Sequence, residues 1–222
     1  MKILAFDSSN QKSSVAIYED ERILSYSAST IPNNQAETLL SLIEQTLEKA
    51  GLSYSDLDFM AVTTGPGSFT GVRIGLAAAE GIAAASGVKT IGIGCLEVMN
   101  LRAIEHSRNY DYSIALMNAY RGQIYAQAFL PSGEAFCEAE MIDLEKVDSY
   151  LSQFAGKIVI VGSGMNLLDR ELLIAPNVIS LPRFPNPEAR NLCRLAFKKA
   201  SHGNYAAPFP LYIRLPDAKK QI

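Results

Sequence analysis

A seven-residue loop, Gly65-Pro66-Gly67-Ser68-Phe69-Thr70-Gly71, separates the apolar run Phe59–Thr63 from a stretch of small residues that reaches Ser86. A strand that must turn sharply into a helix needs glycine, because the backbone there visits conformations and close approaches that a Cβ forbids. Successive N–H groups at the start of such a helix face the same way, which makes an anion site there a physical option. The pattern departs from both common phosphate fingerprints. Gly71 is followed by Val72-Arg73 rather than the Lys-Ser/Thr pair of a Walker loop, and Thr70 stands where G-x-G-x-x-G needs its third glycine. The residues alone therefore describe a tight structural turn, with Gly67 and Ser68 as weak candidates for touching a phosphate.

The segments around the loop set the fold class. Residues 3–6 read as a strand ending in Asp7-Ser8-Ser9, and residues 14–18 and 22–27 as two more, joined by polar turns into an antiparallel meander. Gln35–Ala50 carries Leu39, Leu40, Leu42, Ile43 and Leu47 at helical spacing, with Gly51 just past the end. Residues 88–93 read as a strand and 96–105 as a helix. Strands at 112–118 and 123–130 then flank the turn 119–122. A helix at 143–154, a strand at 157–161, the turn Gly162-Ser163-Gly164 and a helix at 166–173 follow. A last helix at 187–200 has proline at its start and His202-Gly203 at its end. Both halves open with strand–turn–strand and then mix helices with strands. That plan predicts an α/β chain of two related lobes with mixed sheets, 1–106 and 107–222, the last helix or tail packing back on the first lobe.

Composition excludes other classes. The chain has 222 residues, 48% of them hydrophobic and 19% charged, as in an ordinary soluble protein with room for real cores. Twenty basic residues against twenty-three acidic ones give a net charge of −3, and only Lys198-Lys199 and Lys219-Lys220 are adjacent. A protein that grips nucleic acid alone carries a basic stripe, so contact with RNA is expected only through a partner. The opening MKILAFDSSN is too short for a signal-peptide core, and residues 72–85 are broken by Arg73 and Glu80, so no membrane span is expected. Cys95, Cys137 and Cys193 are isolated, which fits reduced thiols in a cytoplasmic protein.

Several segments together resemble one family. Gly65-Pro-Gly-Ser-Phe-Thr-Gly-Val-Arg-Ile-Gly75 resembles the signature loop of the TsaB (YeaZ) family, and Ile3-Leu-Ala-Phe-Asp-Ser-Ser9 its opening strand and carboxylate-bearing turn. Arg121-Gly-Gln-Ile-Tyr125, Gly162-Ser-Gly164 and Pro210-Leu-Tyr-Ile-Arg214 resemble its second hairpin, glycine pair and tail, so the likeness runs from residue 3 to 214. The resemblance implies the actin-like ATPase and sugar-kinase fold. It implies a non-catalytic role in forming N6-threonylcarbamoyladenosine at position 37 of tRNAs that read codons beginning with adenine. A related transferase, TsaD, makes the transfer; TsaE is an ATPase of the same complex.

The family likeness also frames the question of catalysis. The transferase holds a metal with two histidines at i and i+4 on one helix face. The corresponding stretch here places Cys95 and Met99 at those positions, and the two histidines, His106 and His202, lie apart near helix ends. In kinases of the superfamily an aspartate at the first hairpin works near metal and phosphates, which singles out Asp7 as a weak cofactor-binding candidate, largely structural in role. Their second aspartate is replaced by Asn118, which cannot supply charge to Mg²⁺. Gln35 stands where many family members carry histidine. The expectation is no catalytic residue, no metal and no cofactor of the chain's own, with ATP or ADP entering only at the level of the complex. The alternatives are a stand-alone actin-like ATPase or kinase, or a glycopeptidase-like metallopeptidase.

Partner binding is expected on two helices. Val72, Leu76, Ala79 and Ala83 fall on one stripe, and Leu39, Ile43 and Leu47 on another. The plain reading is that both stripes cover their own sheet. In the family, helices at these positions bundle with those of the transferase, and homodimers use the same surface. The expected interface comprises Leu39, Ile43, Val72, Arg73, Leu76, Ala79, Glu80 and Ala83, with Arg73 and Glu80 seven residues apart on nearly one side.

Overall fold

The computed structural model describes residues 1–29, 31–32, 34–182 and 186–214; Lys219-Lys220 lie outside them. The first sheet opens with the meander β1 (Lys2–Asp7), β2 (Ser14–Glu19) and β3 (Arg22–Ala28), followed by helix α1 (Gln35–Ala50). Strand β4 (Phe59–Thr63) pairs parallel to β1, and after helix α2 (Phe69–Ser86) strand β5 (Lys89–Ile93) pairs parallel to β4. The order is β3-β2-β1-β4-β5. Side chains alternate across the sheet, as the period of a strand requires. Leu4, Phe6, Val15 and Ile17 face α1 and α2, whereas Ile3, Ala5 and Ala16 face the opposite way.

The second half repeats this wiring. Helix α3 (Cys95–His106) leads into β6 (Tyr112–Tyr120), β7 (Gln123–Phe129) and β8 (Glu140–Asp143), a second antiparallel meander. A 3₁₀ turn (Leu144–Lys146) and the short helix α4 (Val147–Leu151) precede β9 (Ile158–Val161), parallel to β6. A further 3₁₀ turn (Ser163–Leu167) and α5 (Arg170–Leu173) lead to β10 (Val178–Leu181), parallel to β9. The order β10-β9-β6-β7-β8 is the first sheet's order traced again. Two mixed sheets with one topology are the architecture expected of paired α/β lobes.

Two helices join the halves. Cys95, Leu96, Met99 and Ala103 of α3 pack on Ala115, Met117, Val159 and Val161 of the second sheet. Helix α6 (Ala189–Ser201) returns to the first, where Ala189, Leu192, Cys193 and Ala196 meet Ile3, Ala5 and Ala16. Arg194 to Glu105 at 3.0 Å and Lys199 to Glu97 at 2.7 Å tie α6 to α3. Among the described residues, no helix is long and apolar enough to cross a membrane.

Three expectations are corrected. The helix expected at 143–154 begins as strand β8 and a 3₁₀ turn, because residues 140–143 pair with β7 and bury Ile142. The helix expected at 166–173 is two short pieces. Gly162 and Gly164 press against Leu116, and the chain there follows that contact rather than a continuous helix. Strand β10, which completes the second sheet, was not expected.

Candidate functional site

The glycine loop is shaped by the first hairpin. A Cβ on Gly67 would sit 2.6 Å from the Ser9 carbonyl oxygen, one on Gly71 would collide with the Ser8 carbonyl, and one on Gly75 would sit 2.6 Å from Ser8 Oγ. Spaced four residues apart, these glycines leave one side of the loop and helix bare for the β1–β2 turn to lie on. Two bonds hold it there: Ser68 N donates to Ser9 O at 2.8 Å, and Ser8 Oγ donates to Gly71 O at 2.8 Å. Ser68 Oγ also accepts from Gly71 N at 3.2 Å, capping α2. Gly67 and Ser68 are thus occupied by hairpin contacts and a cap.

Beneath the loop lies a buried polar knot. Asp7 is 1% exposed. Its Oδ1 accepts from Ser9 Oγ at 2.6 Å, Thr63 Oγ1 at 2.6 Å and Ser9 N at 3.1 Å, and its Oδ2 from Asn10 Nδ2 at 3.3 Å. Burial pushes the Asp7 carboxyl above its ordinary value, while the Ser9 and Thr63 bonds pull it down. The Cys95 thiol beside it is pushed up to about 12, first by burial and then by the Asp7 charge. Gly65 O accepts from Cys95 N at 2.7 Å, joining the knot to α3.

Between the lobes opens a cleft of about 1150 Å³. Ser9, Asn10, Lys12 and Ser13 line one wall, and Asn118, Tyr120 and Ser163 the other. Among the described residues, the buried hydroxyl of Ser13 has no hydrogen-bond partner. Asn118 turns back on its own hairpin: its Oδ1 accepts from Tyr120 N at 2.7 Å, and its main-chain N donates to Ser163 Oγ at 3.2 Å. Among the described residues, no three His, Cys, Asp or Glu side chains converge as a metal would need. Cys95 and Met99 are both buried in the α3 core. His106 ends α3, and His202 Nδ1 lies 2.7 Å from Lys198 O at the end of α6. Gln35, at the start of α1, donates to Asn10 O at 2.5 Å.

The tail's alternating Pro208 and Pro210 mark it as extended. Gly92 N donates to Ala206 O at 3.0 Å and Leu211 N to Thr64 O at 2.8 Å, and residues 211–214 line the cleft.

The expected interface residues separate by burial. Leu39, Ile43 and Ala79 are at most 1% exposed and belong to the core beneath α1 and α2, while Val72, 2% exposed, lines the cleft. As a correction, all four are already covered by the chain's own residues. Leu76 and Ala83 are half-buried against the same core. Arg73 and Glu80 are exposed, and with Thr70, Ala77, Gly81 and Ala84 they form the outward face of α2. Arg73 does not reach for Glu80. Its guanidinium stacks 3.7 Å from the Phe69 ring centroid, and its Nε donates to Tyr212 Oη at 3.0 Å.

Two lobes of repeated topology, a cleft between them and a hairpin seated on a glycine loop give the chain the fold of the actin-like ATPase and sugar-kinase class. The family described as "TsaD: tRNA N6-adenosine threonylcarbamoyltransferase" matches residues 29–162, more than half of the chain. The tRNA threonylcarbamoyladenosine biosynthesis protein TsaB of Escherichia coli is 28% identical, with 100% of this chain and 98% of that protein covered. The structure of YeaZ from Pseudomonas aeruginosa superposes with a TM-score of 0.77 at 25% identity, covering 95% of this chain and 99% of that one. A tRNA N6-adenosine threonylcarbamoyltransferase of Ruegeria pomeroyi is 49% identical over 61 residues, 28% of this chain and 17% of that protein. The chain belongs to this threonylcarbamoyltransferase family, within its TsaB (YeaZ) group.

Proposed function

We propose that the chain is the non-catalytic partner subunit of the complex that forms N6-threonylcarbamoyladenosine at position 37 of tRNAs reading codons that begin with adenine. The observation that carries this reading is the site's own chemistry. Where the related transferase needs two metal-binding histidines, this chain has Cys95 and Met99, both sealed in the core. Asp7, the carboxylate under the cleft, is enclosed by Ser9, Thr63 and Asn10 rather than aimed at a ligand. A metal held by Asp7 would find no carboxylate on the β6–β7 hairpin, where Asn118 stands, and Glu188 of the cleft lining is paired with Arg190.

The transferase subunit docks, in this reading, on the outward faces of α1 and α2. The face of α2 is nearly free of bulk at Ala77, Gly81 and Ala84, which lets a helix approach closely, with Glu80 at its centre and Leu76 and Ala83 at its margin. Leu40 of α1 is 55% exposed and supplies an apolar anchor. A homodimer uses the same surface when the transferase is absent. The TsaE-type ATPase, the tRNA and any ATP or ADP join the assembled complex rather than this chain alone.

Size-exclusion chromatography with light scattering, on this protein alone and mixed with the transferase of the same organism, tests the reading. A one-to-one complex is expected. Separate elution of two folded proteins would overturn it and return attention to a stand-alone ATPase, to be examined by phosphate release from ATP·Mg²⁺.

A further inference from the structure

The first lobe is built to receive the tail. A Cβ on Gly92 would lie 2.5 Å from Pro208 Cα, and one on Gly65 2.7 Å from Leu211 O. Both glycines therefore keep a track open for residues 206–211, which the bonds from Gly92 N and Leu211 N fasten in place. Past the track, Tyr212 packs 5.2 Å from Phe69 and accepts from Arg73, on the first turns of α2.

Two residues later the chain reaches the other lobe. Arg214 Nη1 donates to Ala119 O at 2.9 Å, and its Nη2 donates to Gln123 Oε1. Gln123 in turn donates through Nε2 to Asp143 Oδ1 at 2.9 Å, linking the fastening to β8. Arg214 grips the β6–β7 turn on both sides of Tyr120 and Arg121, whose φ angles of 59° and 57° are costly for residues other than glycine. A guanidinium bridging the two ends of such a turn stabilises it. The outer side of the tail is uncovered, with Phe209 78% exposed. The segment is held from within, by these hydrogen bonds and by Tyr205 against Phe59, Tyr212 against Phe69 and Ile213 against the α3 core.

We propose that residues 204–214 are a strap that latches the two lobes across the cleft, with Tyr212 and Arg214 as its fastenings, and that it transmits the state of Arg73 on α2 to the β6–β7 turn of the opposite lobe. The latch is a property of this chain alone and stands independently of any partner. A ligand or helix that claims the Arg73 guanidinium removes Tyr212's hydrogen bond, loosens the strap and frees the turn; this is a two-state element in the sense that population shift requires.

Hydrogen exchange read by mass spectrometry over residues 119–125 tests the proposal. The reference is a chain ending at Arg214, compared with a chain ending at Pro210 and with Arg214→Ala. Both changes should raise exchange in the turn roughly tenfold, the scale set by losing its local bonds. Arg73→Ala should raise it by a smaller factor in the reference chain and add nothing in the chain ending at Pro210. Unchanged protection in both Arg214→Ala and the shortened chain would overturn the latch. An Arg73→Ala effect that persists without the strap would overturn the transmission. If the shortened chain does not fold, Arg214→Gln and Tyr212→Phe make the same comparison in full-length protein.

Discussion

Thr63 and Asp7, 56 residues apart on adjacent parallel strands, share a hydrogen bond of 2.6 Å in which the hydroxyl donates to a carboxylate that solvent does not reach. That contact places a titratable group at the centre of the first lobe. Burial raises its folded-state value above the 3.8 of the free side chain. The folded chain then binds more protons than the unfolded chain between 3.8 and the folded value. The stabilisation is present below the unfolded value and is lost as pH rises through the folded one. Asp7→Asn keeps an acceptor for Ser9 and Thr63 and removes the titration. Its melting temperature should gain on wild type as pH rises through that window; parallel curves across the series would contradict this.

Gly71 and Gly81 lie on one helix and should respond oppositely to alanine. At Gly71 the added methyl meets the Ser8 carbonyl, so Gly71→Ala should cost about 3 kcal/mol or more by forcing backbone apart. Among the described residues nothing lies within 4 Å of a Cβ placed on Gly81, so Gly81→Ala should stabilise by roughly 0.5–1 kcal/mol through helix propensity. Urea melts of the two variants give both numbers.

Thiol chemistry should distinguish the three free cysteines. Burial pushes the Cys95 thiol up to about 12 and the Cys193 thiol up as well, so both stay protonated and covered at neutral pH. Only Cys137, half-buried beside Tyr150, should react with a thiol reagent in the native protein, and all three after unfolding. Rapid labelling of Cys95 would mean that the knot under the glycine loop opens readily.

Docking on α2 can be separated from folding by neighbouring alanines. Ala79 is wholly buried, and Ala79→Glu should unfold the first lobe. Ala77 is exposed on the same helix, and Ala77→Glu should leave circular dichroism and melting unchanged while weakening association with the transferase at least tenfold, about 1.4 kcal/mol. Retained affinity in Ala77→Glu would move the interface off this face.

Local signals were strong where the chain makes its own contrast. Helix α1 has the bounds read from its leucine spacing, and Gly51 takes the left-handed cap conformation that its position suggested. Helix α2 offered no such contrast, because Ala77 and Ala79 are identical in side chain and opposite in exposure. Its buried face is fixed by the sheet beneath it. Strand β8 has four residues and one buried side chain, too few to show a period of two. At the site, Asp7, the last residue of β1, was legible through the resemblance to kinases of the superfamily. Its neighbours Thr63 and Cys95 come from later segments and meet it only after the lobes fold. The strap is the extreme case, since its contacts with Gly65, Gly92 and Ala119 reside in residues distant in sequence.

Helix α6 has a consequence for how the chain is made. Cys193 Sγ meets Ile3 O across 190 residues, and Ala189 N meets Ser14 Oγ across 175. One face of the first sheet therefore waits for its cover while the second lobe is synthesised, on the order of five to twenty seconds at ordinary translation rates. A nascent chain of this design carries an uncovered apolar sheet for that interval, and either a chaperone or the growing second lobe must shield it.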